Sequence, residues 1–236
     1  MKINNVNIST WSARQSTVRF GQAAYSNAAY WKSGTAIPTL FQGIVGFKSL
    51  TVTLIVKGAN RNAILKNVSD IVAACRDKAT LIFDDIDHRF TGYLTSAGNE
   101  EMAKRQFHRL TLQFNGYEHG AQIETSGTSS ISVSNPGNLP SPARIALTPT
   151  ANIQTITLTG ICRDPYTGDD EPVTVKSLTN GKLIVLNGIN GGITEAPGNP
   201  KDVDIWHLPV MKPGSNTITC DNSHVNIVIQ TIPIYA

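Results

Sequence analysis

Two acidic clusters are the densest sets of metal-ligating side chains in the sequence. Asp84, Asp85 and Asp87 crowd one turn, and Asp164, Asp169, Asp170 and Glu171 share the stretch RDPYTGDDE. Hard carboxylate oxygens on a flexible loop are what Ca²⁺ takes. Neither cluster has the spacing of an EF-hand loop, and Asp is a turn residue in its own right, because its side chain accepts from nearby backbone N–H groups. Two ordinary turns, with no metal, are the expectation. The five histidines, His88, His108, His119, His207 and His224, are scattered, and neither His88 nor His108 has a His or Cys partner at metal-ligand spacing. GxSxG, GxxxxGK[ST], HExxH and CxxC are all missing from the sequence, so the motifs that mark hydrolases, phosphate loops and zinc sites give no support to an enzyme or a cofactor. One constellation could bind rather than react. Tyr166, Trp206 and His207 offer aromatic faces of the kind that pack on the C–H surface of a pyranose. In VDIWHLP the alternate set Asp204, Trp206, Leu208 has no assignable face, so Trp206 is expected in a core, and a ligand face of Tyr166 and Trp206 is the alternative.

Composition narrows the remaining classes. Charged residues are 16% of the chain, below the ~25% of an average globular protein, so much of the surface is Ser, Thr, Asn and Gly. Residues 1–120 hold 14 Lys and Arg against 8 Asp and Glu, and residues 121–236 hold 6 against 9. A basic half joined to an acidic half favours head-to-tail contact. Without a Lys/Arg cluster it does not indicate specific DNA binding. Cys75, Cys162 and Cys220 are odd in number and widely spaced, which fits buried, reduced thiols rather than a disulfide framework. The opening MKINNVNIS lacks an apolar export region, and no stretch approaches the ~18 apolar residues of a membrane span. A soluble chain without membrane insertion is expected.

These residues must be positioned by two differently built halves. The 236 residues suit two domains of ~100–130 residues each. Residues 1–9 read as a short opening strand. Residues 10–47 then carry Trp11, Phe20, Tyr25, Tyr30, Trp31, Phe41 and Phe47 with no sustained period of 2 or 3.6. A structureless stretch this long needs a job. The expectation is an extended arm or hairpin whose aromatics Trp11, Phe20, Tyr25, Tyr30, Trp31 and Phe41 bury against another copy, with irregular strands of the domain's own core as the alternative. KSLTVTLIVK (48–57) is a strand with Leu50, Val52, Leu54 and Val56 on one face. Asn60 caps a helix reaching to about Lys78, with Ile64, Val68, Ile71 and Cys75 on its apolar side. Strands over 80–83, 89–94 and 107–114 complete a first domain, residues 1–118.

Residues 119–236 carry short strand patterns at 130–134, 143–147, 153–160, 172–176, 182–186, 203–208, 217–220 and 225–232, separated by Asn, Gly and Pro. That rhythm predicts a β-sandwich. SNPGNLPSP (134–142), with three prolines, is its first corner.

In this order, KSLTVTLIVKG, the helix, TLIFDDIDHRFTGYL, RQFHRLTLQFNGYEHG, NPGN with PARIAL, NGKLIVLNG and LPVMKPGSNTITCD with HVNIVIQTIPIY resemble the distal tail proteins of siphovirus-like bacteriophages over nearly the whole length. The resemblance implies a mainly β fold: a tail-tube-like sandwich or barrel with one packed helix, then a galectin-like β-sandwich. It implies a homohexameric ring at the tail tip that joins the tail tube protein to the baseplate hub or tail-associated protein and to receptor-binding or fibre proteins, with DNA passing through the channel unbound. The implied location is the virion tail tip, assembled in the host bacterial cytoplasm. Residues 10–47 would be the segment that belts neighbouring subunits. The His-x-Asn-Pro-Arg and Trp-Gly-x-Glu patterns of galectin sugar sites do not occur here, and fold likeness alone does not carry sugar binding. A carbohydrate-binding adhesion module is the alternative function.

Overall fold

The computed structural model describes residues 1–26, 29–30, 39–40, 44–165 and 167–236. The chain is mainly β with one α-helix among the described residues, and it divides into two compact units: Met1–His119 with Ala236, and Gly120–Tyr235.

The first unit opens with a hairpin, Lys2–Ile3 paired to Val6–Asn7. Asn4 and Asn5 both take positive φ, 49° and 67°, the conformation a two-residue hairpin turn demands and Asn tolerates. The sheet then runs in the order Val6–Asn7, Lys2–Ile3, Ala79–Ile82, Arg89–Glu101, Phe107–His119, Ile44–Lys57, Ala13–Ser26, with every neighbouring pair antiparallel. Period-2 alternation puts Leu50, Val52, Leu54 and Val56 beside Leu110, Leu112 and Phe114 on one face, all buried. Helix Arg61–Ala74 covers that face with Ile64, Val68, Ile71 and Cys75. Each such aliphatic side chain contributes ~1.5–3 kcal/mol on burial. Asn60 is the N-cap, its Oδ1 accepting from the Ala63 N–H at 2.9 Å. The helix stops at Ala74, short of the expected Lys78, because the Cys75 and Arg76 N–H groups turn back to the Val72 and Ala73 carbonyls and close the last turn.

The stretch that shows no period in sequence is in fact a long strand, Ala13–Ser26, paired with Ile44–Lys57 in a hairpin. Its register shifts three times, at Gln15/Thr17, Phe20/Ala23 and Ala23/Tyr25. The first two put an extra residue into this strand and flip its alternation, while the third puts the extra residue into the partner, and together they hide the strand from a period-2 search.

The second unit is a sandwich of two antiparallel sheets. One runs Ile123–Gly127, Val225–Thr231, Ser141–Pro149, Ile184–Asn187, Ile193–Glu195, Asn199–Pro200, with Val210–Met211 also on Ser141–Pro149. The other runs Ser130–Asn135, Gly214–Cys220, Ile153–Arg163, Asp170–Leu178, Val203–Asp204. Ile145, Leu147, Ile156, Leu158, Val173, Val175, Ile227 and Ile229 fill the space between them.

The corner SNPGNLPSP is held by one buried side chain. Asn135 Nδ2 donates to Ser141 Oγ and to the Met211 carbonyl, both at 3.2 Å, while its Oδ1 accepts from the Gly137 N–H at 3.0 Å. Asn135 is fully buried, so its removal leaves several dry polar groups unpaired. Asn135→Ala is expected to destabilise this unit by about 3 kcal/mol, read as a lower urea midpoint at unchanged m-value.

Candidate functional site

Five of the seven carboxylates in the acidic clusters engage the protein's own groups. Asp84 takes the α-amino group of Met1, and Asp85 Oδ1 accepts from Gln15 Nε2 at 3.1 Å. Asp164 Oδ1 accepts from the Thr167 N–H at 3.2 Å, Asp170 pairs with Arg163 at 2.6 Å, and Glu171 Oε2 meets His207 Nδ1 at 2.7 Å. Among the described residues no three His, Cys, Asp or Glu converge to hold a metal. Burial pushes the Cys75 thiol up to about 11. Burial, with the Glu171 charge, pushes Cys162 up to about 12. Burial also raises Cys220. At neutral pH these side chains are packed thiols, not thiolate nucleophiles. No helix among the described residues is long and apolar enough to cross a membrane.

One ionic cluster lies inside the first unit. Lys48 Nζ donates to Glu118 Oε2 at 2.5 Å and to the Ala236 carbonyl at 2.7 Å, and His88 Nδ1 meets Glu118 Oε1. Lys48 and Glu118 are only 6% and 7% exposed. Lys48 follows the same face as Leu50, so the cluster closes one end of the apolar core. On the opposite face His119 Nε2 and Thr91 Oγ1 lie 2.9 Å apart, and Thr91 Oγ1 is 2.9 Å from Thr80 Oγ1.

The aromatics of the arm separate into two groups. Trp11 and Phe20 pack partly into their own unit, Phe20 edge-on to Phe83 with ring centroids 5.6 Å apart; these two brace the sheet from the start of the strand. Farther along, Tyr25 is 57% exposed and Tyr30 60%, with Ile44 at 71% and Phe47 at 65% on the returning strand. Trp31, Phe41 and Tyr166 lie outside the described residues. Ile44 was not legible as a surface residue, because only the pairing of Ser26 with Ile44 shows where the hairpin carries it.

In the second unit the expected strand over 203–208 is confined to Val203–Asp204. The chain bends at Trp206 and His207 before Pro209. Trp206, expected in a core, is 87% exposed. Alternation is the reason: Trp206 falls on the exposed side with Asp204 and Leu208, while Val203 and Ile205 pack towards the core. Leu208, Ile189 and Leu183 are further exposed apolar side chains of this unit.

No protein-family model matches the sequence, and no curated sequence matches it. Among solved structures the fold is that of phage hub and baseplate proteins. The Dit protein (gp 19.1) of phage SPP1, described as a paradigm of the hub adsorption apparatus in phages infecting Gram-positive bacteria, is similar over 98% of this chain and 97% of its own, at a TM-score of 0.73 and 15% identity. A chain of the phage p2 baseplate in its activated conformation with Sr is similar over 95% of this chain and 92% of its own, at a TM-score of 0.50 and 10% identity.

Proposed function

We propose that this chain is a structural subunit of a phage tail tip: it forms a hexameric ring that joins the tail tube to the baseplate hub and receptor-binding proteins and leaves a channel for DNA. The observation that carries the reading is the sheet of the first unit. Four of its strands, Arg89–Glu101, Phe107–His119, Ile44–Lys57 and Ala13–Ser26, form an antiparallel block. Beyond Gly92 the first of them has no strand on its outer side among the described residues, and Ala13–Ser26 has none along its length. Long open edges are templates for pairing. An even number of alternating strands makes the two edges run in opposite directions. A copy related by rotation about an axis along the strands then pairs antiparallel at each junction, and two different edges per subunit give a heterologous interface that closes into a ring.

The helix covers one face of this block, so the other is the face for the channel. It carries Thr17, Thr53 and Thr111 in register across three strands, with Thr51, Arg19 and Arg109. Hydroxyls and a few cations give a passing polyanion no sequence-specific contact. The distal hairpin, with Tyr25 and Tyr30, reaches a neighbouring subunit. Virion location and assembly in the host bacterial cytoplasm accompany this reading, and the role is non-enzymatic. Negative-stain images of the purified protein are expected to show sixfold rings. A strict monomer at high concentration, with no ring on isolated tails, would overturn the proposal.

A further inference from the structure

We propose that the open face of the sheet in the first unit binds the phosphodiester backbone of duplex DNA through Arg19 and Arg109, whatever the base sequence. The inference rests on the reading of that face as the channel wall and gives the wall a ligand. Strand register places the residues. Thr17, Thr53 and Thr111 stand side by side on three strands, and Gly98, opposite Thr111, extends the row without a side chain. To one side of this row lies Arg19, aligned with Thr51 and Gln113; to the other lies Arg109, aligned with Ile55 and Glu100. Small residues between long ones make a trough, and Thr17, Thr51, Thr53, Thr111, Arg19 and Arg109 line one depression in the surface. Four residues of strand separate the two arginine levels, about 13 Å.

Both arginines can turn to an anion. Arg19 has no hydrogen-bond or ion-pair partner among the described residues. Arg109 Nη1 donates to Glu100 Oε2 at 3.2 Å, but both side chains are well exposed. Such a surface pair is worth little, so a phosphate competes for the guanidinium. The threonine hydroxyls of the floor donate to phosphate oxygens and read no bases. Residues 1–120, with 14 Lys and Arg against 8 Asp and Glu, add a field of the same sign. An acidic protein segment is the other polyanion such a face could meet. No apolar side chain lines the depression, however, and protein interfaces are anchored by buried aromatic and apolar groups. In a ring the arginines become two belts, and the weak contacts of single chains reinforce one another.

The test is fluorescence anisotropy of the full chain with a labelled duplex of mixed sequence across a salt series. Wild type is expected to bind, and two phosphate contacts per chain weaken that binding at least roughly 60-fold between about 20 and about 200 mM salt. Arg19→Gln and Arg109→Gln are each expected to lower the salt slope by about 1 and to weaken binding several-fold at low salt. Glu100→Gln, which frees Arg109, is expected to tighten it. Arg61→Gln with Lys66→Gln removes the same charge from the helix, which covers the opposite face, and is expected to leave the slope unchanged. No binding by wild type at the lowest salt, or equal weakening by the two arginine changes and the two helix changes, would overturn the proposal. So would displacement of the duplex by inorganic phosphate at fixed ionic strength, which would assign the arginines to a free anion. Sixfold rings that bind no duplex would overturn this proposal alone, and a strict monomer that binds it through Arg19 and Arg109 would overturn the ring alone.

Discussion

A variant lacking residues 22–43 is expected to stay folded and to lose assembly, remaining a monomer in light scattering at concentrations where the full chain forms rings. The deletion spares the core contacts of the strand. Phe20 keeps its place against Phe83 and Phe90, and its pairing with Leu50 lies before the junction. What it removes is the exposed hairpin carrying Tyr25 and Tyr30. Two aromatic anchors at about 2 kcal/mol each correspond to roughly three decades of subunit affinity. Normal assembly of the deletion protein would take the hairpin out of the interface and leave the sheet edges alone to close the ring.

The second large effect concerns stability. Glu118→Ala should unfold the first unit at a much lower temperature, because it strands the buried Lys48 ammonium. Taking one partner from a buried ion pair costs about 3–5 kcal/mol. For a unit of this size that lowers its transition by on the order of 10–20 °C. Lys48 loses its side-chain carboxylate partner and keeps the Ala236 oxygen, and His88 loses the Glu118 contact. Replacing both members, Lys48→Met with Glu118→Leu, removes the buried charges together and is expected to recover most of the loss. Calorimetry on the single and double variants decides the matter. A transition for Glu118→Ala within about 2 °C of wild type would mean that water reaches Lys48.

Alternation made much of the architecture readable. KSLTVTLIVK and FHRLTLQF show their faces because one side of each strand is buried without interruption, and Leu50 to Val56 and Leu110 to Phe114 meet where that pattern puts them. The helix was legible for the same reason: Asn60 supplies a cap and Ile64, Val68 and Ile71 repeat at helical spacing. In the second unit the short strands between Asn, Gly and Pro turns identified a sandwich. Pieces such as Ile193–Glu195 and Val210–Met211 were not legible, being too short to carry a period.

What the sequence by itself determined is therefore the class of each half: a sheet with one helix, then strands alone, with no motif for catalysis. Tertiary structure decided everything that depends on which way a side chain turns after the pattern breaks. Three register shifts convert residues 13–26 from an aperiodic stretch into a sheet edge, with Phe20 turned inward and Tyr25 outward. Packing of Val203 and Ile205 on the core turns Trp206 to the exposed side. Lys48 and Glu118, 70 residues apart, meet only because two strands pair in one register. Periodicity is a local property of the chain; bulges, bends and cross-strand register are settled by long-range pairing, and the proposed sites depend on those.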